Sequence, residues 1–446
     1  MANLKVGARS SIYGGSDADT MSTIDAILKL DYIMDSIVDT VNRSTWFLSQ
    51  IKREKMTGGK KFIYSFRTGL AEGQGNRAED VQLPNFGAGS YEEISYYVRY
   101  QYATLRLTGP SMATSNKPAA AYVSILNNAL KDVRQGFFLE TYFQTIGAES
   151  GVVALVAGAK TPSGSPLTAD LAFDSPYGQS DGASADLTAK FPFFRLGMQL
   201  VFLHPTNATI LNAGTVTGIK HSGEIVVATL DETTIMDNAR ILRGDAQKLS
   251  LKRTSYNENY VGLVDTVHNE NTYLSFDRTD QPSMQSTVLS ANGGRVSEAM
   301  LQGAYNQIMV RSDGMNTTPG LLMSGYAEQT LYMQALLGQK RYINPPTGLA
   351  GGRSALSFNG IPWTAEKLSP PGRVYFLNMR DWCWAYYQRP QWAQLDGRVL
   401  RVPEHMDAAT GYMRTYRNLI NEHVQNQGMM TNVTGYATPT GLGATV

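Results

Sequence analysis

One cysteine, Cys383, stands in 446 residues, so the chain has no intrachain disulfide and no thiolate set for a metal cluster. Such a chain suits a reducing compartment, and the tryptophans on either side of Cys383 point to a buried thiol. Histidine is almost as scarce. The five, at positions 204, 221, 268, 405 and 423, include no pair spaced to put two imidazoles on one helix turn, and His268-Asn-Glu-Asn lacks the second histidine of a zincin helix. Charge of one sign is also missing. Lys plus Arg number 39 against 38 Asp plus Glu, a net charge of +1, which excludes wrapping nucleic acid by bulk phosphate neutralisation and leaves only weak, local contact. No run of 18 apolar residues occurs, and the opening MANLKVGARSSIYGG has no apolar h-region, so the expectation is a soluble chain made in the cytosol with no membrane partner.

Motifs that would carry chemistry are absent too. No G-x-S-x-G elbow anchors an acyl-transfer triad. Gly58-Gly59-Lys60-Lys61 lacks the upstream glycine and the hydroxyl residue of a phosphate loop, and Gly87-Ala88-Gly89-Ser90 lacks the third glycine of a dinucleotide site. Asp17 and Asp19 are followed by no further calcium ligands. The adjacent pairs Glu92-Glu93 and Asp231-Glu232 would point to opposite faces of a strand, where they cannot share a proton. The expectation is a protein that is not an enzyme, with no catalytic residue, cofactor or metal.

What the chain does have is 42% hydrophobic residues, 42 glycines and 24 tyrosines, a composition for extended, contact-making β surfaces. Its length predicts two or three subdomains. The most distinctive stretch is Lys61 to Thr108, read as one long hairpin. Alternation puts Phe62, Tyr64 and Phe66 on one face of the first strand, Lys61–Leu70, and Tyr96, Val98, Tyr100 and Tyr102 on one face of the return strand. A Gly-rich tip, Ala71 to Ser90, holds Pro84 and should be irregular. Ten residues reach roughly 33 Å at ~3.3 Å each, a length that calls for a neighbour. The contact candidates are therefore Phe62, Tyr64, Phe66, Tyr96, Tyr100 and Tyr102, with Arg67, Arg99 and Arg106 placed to meet acids on that neighbour.

A polar arm, residues 1–20, precedes a helix capped at Ser22, in which Ile27, Leu30, Met34, Ile37 and Val41 recur at three and four. Six Asp against one Lys between positions 17 and 39 make it repel phosphate. Ser115 and Pro118 start a second helix reaching Ile146, ~45 Å long by helical rise. Ala157 to Thr188 reads as a long loop. Short strands follow at Met198–Leu203, Thr209–Ile219, Glu224–Leu230 and Leu249–Lys252. Helices at Ser297–Ser312 and Gly325–Lys340 flank a strand at Gly320–Met323, giving a mixed α/β unit. The last block holds Phe358-Asn359-Gly360-Ile361-Pro362, Arg373–Leu377, a strand region at Leu400–Val402 and then Met413–Ile420. Four of the five tryptophans lie between Trp363 and Trp392, as one packing centre.

That order of parts, with the F-N-G-I-P and R-V-Y-F-L blocks and Tyr273-Leu-Ser-Phe-Asp-Arg278 followed by Pro282, resembles the major capsid proteins of tailed bacteriophages. Their fold is the one named after coliphage Hong Kong 97 and shared with encapsulins, and the resemblance covers residues 20 to 436. It implies an α+β fold: 1–50 as N-terminal arm and helix, 51–110 as the E-loop hairpin, and 111–190 as the P-domain spine helix with its loop. A β-rich insertion or tongue would follow at 191–255, the A-domain at 256–400, and the P-domain return with its tail at 401–446. It implies a coat protein forming hexamers and pentamers of an icosahedral head, a virion component assembled in the host cytoplasm around double-stranded DNA held by weak, non-specific contact. A portal protein and a separate scaffolding protein would be partners, with room for a decoration protein. The separate scaffold follows from the short segment before the first helix. The tip carries Arg77 but no lysine, so no covalent crosslink is expected from it, with Lys60 and Lys61 left at the base. The alternatives are an encapsulin shell, a phage adhesion or decoration protein, and an unrecognised hydrolase.

Overall fold

The computed structural model describes residues 46–110, 119–178, 194–220, 224–244, 256–270, 272–312, 318–337, 356–394, 399–402 and 407–433. The helix expected over Ser22–Val41, the strand expected at Leu249–Lys252 and the tail after Val433 lie outside the described residues. The chain divides into two compact units, each built from three stretches of sequence.

The first unit comprises Met1–Trp46, Tyr100–Tyr260 and Gln388–Thr415. Its long helix, Ala119–Ile146, spans 28 residues, or ~42 Å. The end of that helix is buried on every side, from Thr141 through Ile146, as a helix is when it sits inside a core. The Phe143 ring stacks on Tyr177 at 5.3 Å. Gln101 ties the strand Arg99–Thr108 to the helix. Its Nε2 donates to the Phe137 carbonyl (3.2 Å), while Oε1 accepts from the Thr141 and Tyr260 hydroxyls (2.9 and 2.8 Å).

Six antiparallel strands in this unit close a barrel: Arg240–Arg243, Val152–Ala157, Thr168–Asp174, Ile225–Thr229, Ile210–Ile219 and Gln199–Leu203, the last pairing back to the first. Closure leaves no free sheet edge. The barrel corrects the β-rich insertion expected at 191–255, because it begins at Val152 and takes in Thr168–Asp174, part of the segment read as loop. Ala169, Leu171 and Phe173 are buried in strict alternation. This short strand is hidden in a composition dominated by Gly, Ser and Asp.

The second unit comprises Phe47–Arg99, Val261–Tyr387 and Tyr416–Val446. Its main sheet has six strands in the order Thr287–Ser290, Gly428–Thr431, Val374–Leu377, Leu321–Ser324, Ile361–Ala365 and Leu356–Phe358, with parallel and antiparallel pairs mixed. The strand Gly428–Thr431 lies well past position 400, so the α/β unit is completed by chain assigned in advance to the C-terminal return. Asn359 and Gly360 (φ 49° and 78°) turn the Leu356–Ala365 hairpin, the Asn-Gly chemistry that a two-residue loop demands. The helices Glu298–Arg311, capped by the Ser297 hydroxyl accepting from Met300 N, and Tyr326–Leu337 contribute Leu301, Ile308 and Tyr332 to the sheet's core.

The tryptophans do not make one centre. Trp363 stacks on Tyr332 at 4.9 Å, Trp382 meets Phe47 edge-on at 6.0 Å, Trp384 lies under the Arg417 guanidinium at 4.1 Å, and Trp392 is half-buried. Trp363 also donates Nε1–H to Ser324 Oγ (2.8 Å), so it is packed and polar-satisfied together. Replacing Trp363 by Ala should cost about 3–5 kcal/mol of stability, the usual price of a large aromatic deleted from a core. Thermal or urea unfolding followed by circular dichroism checks this, and a loss under about 1 kcal/mol would contradict the packing.

Candidate intersubunit surface on the hairpin arm

The arm is an antiparallel pair, Lys61–Gly69 with Ser90–Tyr97, in the register Phe62 to Tyr96, Tyr64 to Ile94 and Phe66 to Glu92. Cross-strand partners share a face, so these six side chains line one side. The return strand stops at Tyr97 instead of running on to Thr108. Val98 N donates to the Lys60 carbonyl (3.3 Å) and closes the mouth of the hairpin, and Arg99–Thr108 is a separate strand. The parity of burial flips at this break: Ile94, Tyr96 and Val98 are buried before it, Gln101, Leu105 and Leu107 after it. A one-residue slip sends every following side chain to the other face, so Tyr100 and Tyr102 do not continue the face of Tyr96.

The root of the arm is a buried aromatic and polar cluster. Phe62, Ile94, Tyr96 and Val98 pack with Val261, Tyr273, Met284, Ala385, Ile420 and Val424. Phe62 lies 5.0 Å from the Tyr387 ring, and Phe66 meets Phe276 edge-on at 5.5 Å. Tyr96 is fully buried and its hydroxyl donates to the Asn421 carbonyl (3.0 Å), so the 3.1 Å contact with Tyr273 Oη is one in which Tyr273 donates. Burial and the neighbouring Tyr273 push the Tyr96 hydroxyl well above its ordinary value. Arg278, 1% exposed, lies 4.6 Å over the Tyr273 ring and donates to the carbonyls of Asp265 and Thr266. Asn418 Nδ2 donates to the Tyr97 carbonyl (2.8 Å), and Lys61 sits 4.6 Å over the Tyr97 ring.

Beyond the root the burial falls away. Phe62 and Tyr96, offered by sequence as contact residues, are spent inside their own unit. Tyr64 and Phe66 are half-buried on the arm. The Arg67 backbone pairs with Tyr91, and its side chain lies outside the described residues. Arg99 and Arg106 are half-buried in the next strand, and Tyr100 and Tyr102, 56% and 54% exposed, are on that strand as well. The residues that sequence reading missed are at the tip: Leu83 is 79% exposed and Phe86 97%, with Leu70, Val81 and Tyr91 also largely uncovered. Their signal was the run Val81-Gln-Leu83-Pro-Asn-Phe86, apolar residues without periodicity inside a glycine-rich loop. Two glycines bring the arms of the tip together. A Cβ at Gly87 would run into the Glu72 carbonyl, and one at Gly73 would sit 2.9 Å from the Asn85 carbonyl.

Beside the root a groove of about 380 Å³ opens between the face of the arm and the segments Ser283–Met284 and Asn421–Asn426. Burial, and next the Glu54 carboxylate, raise the Tyr64 hydroxyl at its wall. Among the described residues no group of three His, Cys, Asp or Glu could hold a metal ion, and no helix is long and apolar enough to cross a membrane.

A hairpin arm, a long helix buried at its end, a barrel and a mixed α/β sheet follow one another in an α+β fold that matches phage capsid chains. The chain is similar to a chain of the Cyanophage A-1(L) capsid asymmetric unit, with 11% identity and a TM-score of 0.51 over 90% of this chain and 96% of that one. A chain from Gordonia phage Cozz matches with 10% identity and a TM-score of 0.45 over 97% and 98% of the two chains. One from the holo-SrpI encapsulin complex of Synechococcus elongatus PCC 7942 matches with 9% identity and a TM-score of 0.41 over 92% and 95%. No protein-family model and no curated protein matches.

Burial raises the Asp265 carboxyl to about 7, against the pull of Arg278. A carboxyl that holds its proton more tightly when folded stabilises the protein most below the ordinary value of about 4, and loses that contribution as pH rises through the folded value. The urea midpoint of the wild type relative to Asp265→Asn should therefore fall between about pH 4 and 7. A difference that stays flat across this window would count against a buried, protonated Asp265.

Proposed function

We propose that the chain is a major capsid (coat) protein that self-assembles into hexamers and pentamers of an icosahedral phage head enclosing double-stranded DNA. The observation that carries this reading is correspondence in fold with a phage capsid chain along nearly the whole of both chains. It is an argument by fold, which by itself hosts many functions. The arm supplies independent physical support. A rooted hairpin with Leu83 and Phe86 uncovered at its end is built to bury apolar surface on something outside its own unit.

Under this reading the partners are further copies of the chain, a portal protein, a separate scaffolding protein, a decoration protein and packaged DNA. The protein acts as a structural part of the virion, assembled in the host cytoplasm, and not as a catalyst. Near-neutral net charge (+1) suits a shell wall whose hold on DNA is weak and non-specific. The candidate contact set on the arm becomes Tyr64, Phe66, Tyr91 and the tip.

Expression of the chain alone and with a candidate scaffold, viewed by negative-stain microscopy, should give capsomer rings or closed shells. Deleting residues 71–89 should leave unfolding of the isolated chain within about 0.5 kcal/mol of wild type, as for other surface changes, and abolish closed shells. Monodisperse monomers under every condition, or normal shells from the deletion variant, would refute the reading. Particles filled with protein cargo instead of DNA would select the encapsulin alternative.

A further inference from the structure

The turn that feeds the hairpin carries charge that the chain as a whole does not. Lys52, Arg53, Lys55, Lys60 and Lys61 stand in ten residues with one acid, Glu54, while the net charge of all 446 residues is +1. The five cations are exposed, and among the described residues no salt bridge takes any of them. Lys52 Nζ donates to the Arg380 carbonyl (2.6 Å), which ties the strand to a sixth exposed cation. Glu54 lies 3.9 Å from the Cys383 thiol, and strand alternation turns it away from Arg53 and Lys55. Between Lys55 and Lys61 the backbone turns with carbonyls toward the protein: Tyr387 Oη donates to that of Gly58 (2.6 Å) and Val98 N to that of Lys60 (3.3 Å). The N–H groups of Thr57, Gly58, Gly59 and Lys60 donate to nothing among the described residues, and all four residues are exposed. Gly58 and Gly59, at φ 155° and 107°, hold a backbone that other residues rarely adopt. A run of free N–H groups in a turn is an anion-binding concavity, flanked here by Lys55, Lys60 and Lys61.

We propose that the turn Lys52–Lys61 binds the phosphodiester backbone of duplex DNA, with its free N–H groups facing one phosphate and its lysines and Arg53 facing the neighbouring ones. The choice of DNA as the polyanion rests on the shell reading above, and the phosphate chemistry rests on the turn itself. Four lysines and one arginine favour point-charge recognition of phosphate over the forked pairing that arginine makes with carboxylates. Arg53 and Lys55 point to one side of their strand ~6.6 Å apart, and a DNA strand carries a charge every ~3.4 Å of axis, so the two meet separate phosphates. The missing hydroxyl after Lys60-Lys61 fits this role, because a contact to the polymer needs no magnesium ligand. Cations and N–H groups carry no base information, so every sequence is bound alike. One local patch reconciles a nearly neutral chain with a weak hold on DNA.

The test titrates the full chain into a short fluorescent duplex of mixed sequence and reads anisotropy between about 50 and 200 mM salt. Five phosphate contacts should give a slope of log affinity on log salt of about −4 to −5, a loss of about 500-fold across that range. Arg53→Gln, Lys55→Gln and Lys60→Gln together should flatten the slope by about three and reduce the loss to about tenfold, and Lys60→Gln alone should flatten it by about one. Lys131→Gln, Lys160→Gln and Arg295→Gln together remove as much exposed charge from elsewhere and should leave the wild-type slope. Equal effects from the two triple variants would mean that net charge alone matters and would overturn the patch. So would no binding at the lowest salt, equal competition by polyglutamate, or a preference for phosphatidylglycerol vesicles. Assembly is scored separately. Shells from a chain that binds no duplex would overturn the patch alone, and duplex binding by a chain that never assembles would overturn the shell reading alone.

Discussion

A two-stranded hairpin is marginally stable in water, so the arm holds its shape only because its root is buried. Tyr96 is the centre of that constraint. Its ring is enclosed by the cluster of Phe62, Val261, Tyr273 and Ile420, and its single proton is committed to the Asn421 carbonyl. That commitment fixes Tyr273 as the donor in the Tyr96–Tyr273 pair, and Tyr273 is in turn covered by Arg278. The chain segments 261–285 and 416–426 are thereby organised around the arm's base. An arm seated in this way can project its tip without collapsing onto the body.

Several sheet edges among the described residues are guarded against unintended pairing. The barrel is closed. The outer strands of the six-stranded sheet, Thr287–Ser290 and Leu356–Phe358, are only four and three residues long. The strand Lys52–Lys55, which pairs in parallel with Cys383–Tyr386, reads Lys-Arg-Glu-Lys and is exposed throughout. Short edges and charged edges are the usual guards against stray strand addition. Among the described residues apolar exposure is greatest at Phe86, on a loop tip, while Val310 and Val402 are also largely uncovered elsewhere.

Much of the fold was legible in sequence because it rests on short-range periodicity. The helix ending at Ile146, the helices over Glu298–Arg311 and Tyr326–Leu337, and the strands Gln199–Leu203, Ile210–Ile219 and Ile225–Thr229 all carry clear apolar spacing or turn signals. The end of the hairpin was not legible. Tyr96, Val98, Tyr100 and Tyr102 alternate without interruption, and only the backbone break at Val98 shifts the buried parity to Gln101, Leu105 and Leu107. The barrel was half legible for a similar reason: Thr168–Asp174 alternates correctly but sits among residues that signal loop. At the candidate contact surface, sequence found the aromatic face yet could not tell its rooted half from its free half. Phe62 and Phe86 are the same residue type, one in the core and the other in solvent.

The chemistry of the tip sets the kind of grip it can exert. Between Ala71 and Ser90 the only basic residue is Arg77, and no lysine is present to form an amide crosslink. A grip on a neighbour, as proposed for the shell, would then be non-covalent, and its strength would have to come from repetition. One Phe and one Leu leaving water contribute ~1.5–3 kcal/mol each before the cost of association, which is too little to hold two copies together for long. In a closed ring of the kind the proposed shell requires, each copy would be held by two neighbours, so releasing one would break two contacts at once. Under that proposal a weak, reversible unit contact would let a misplaced copy leave while the ring is open, and closure would then remove that exit.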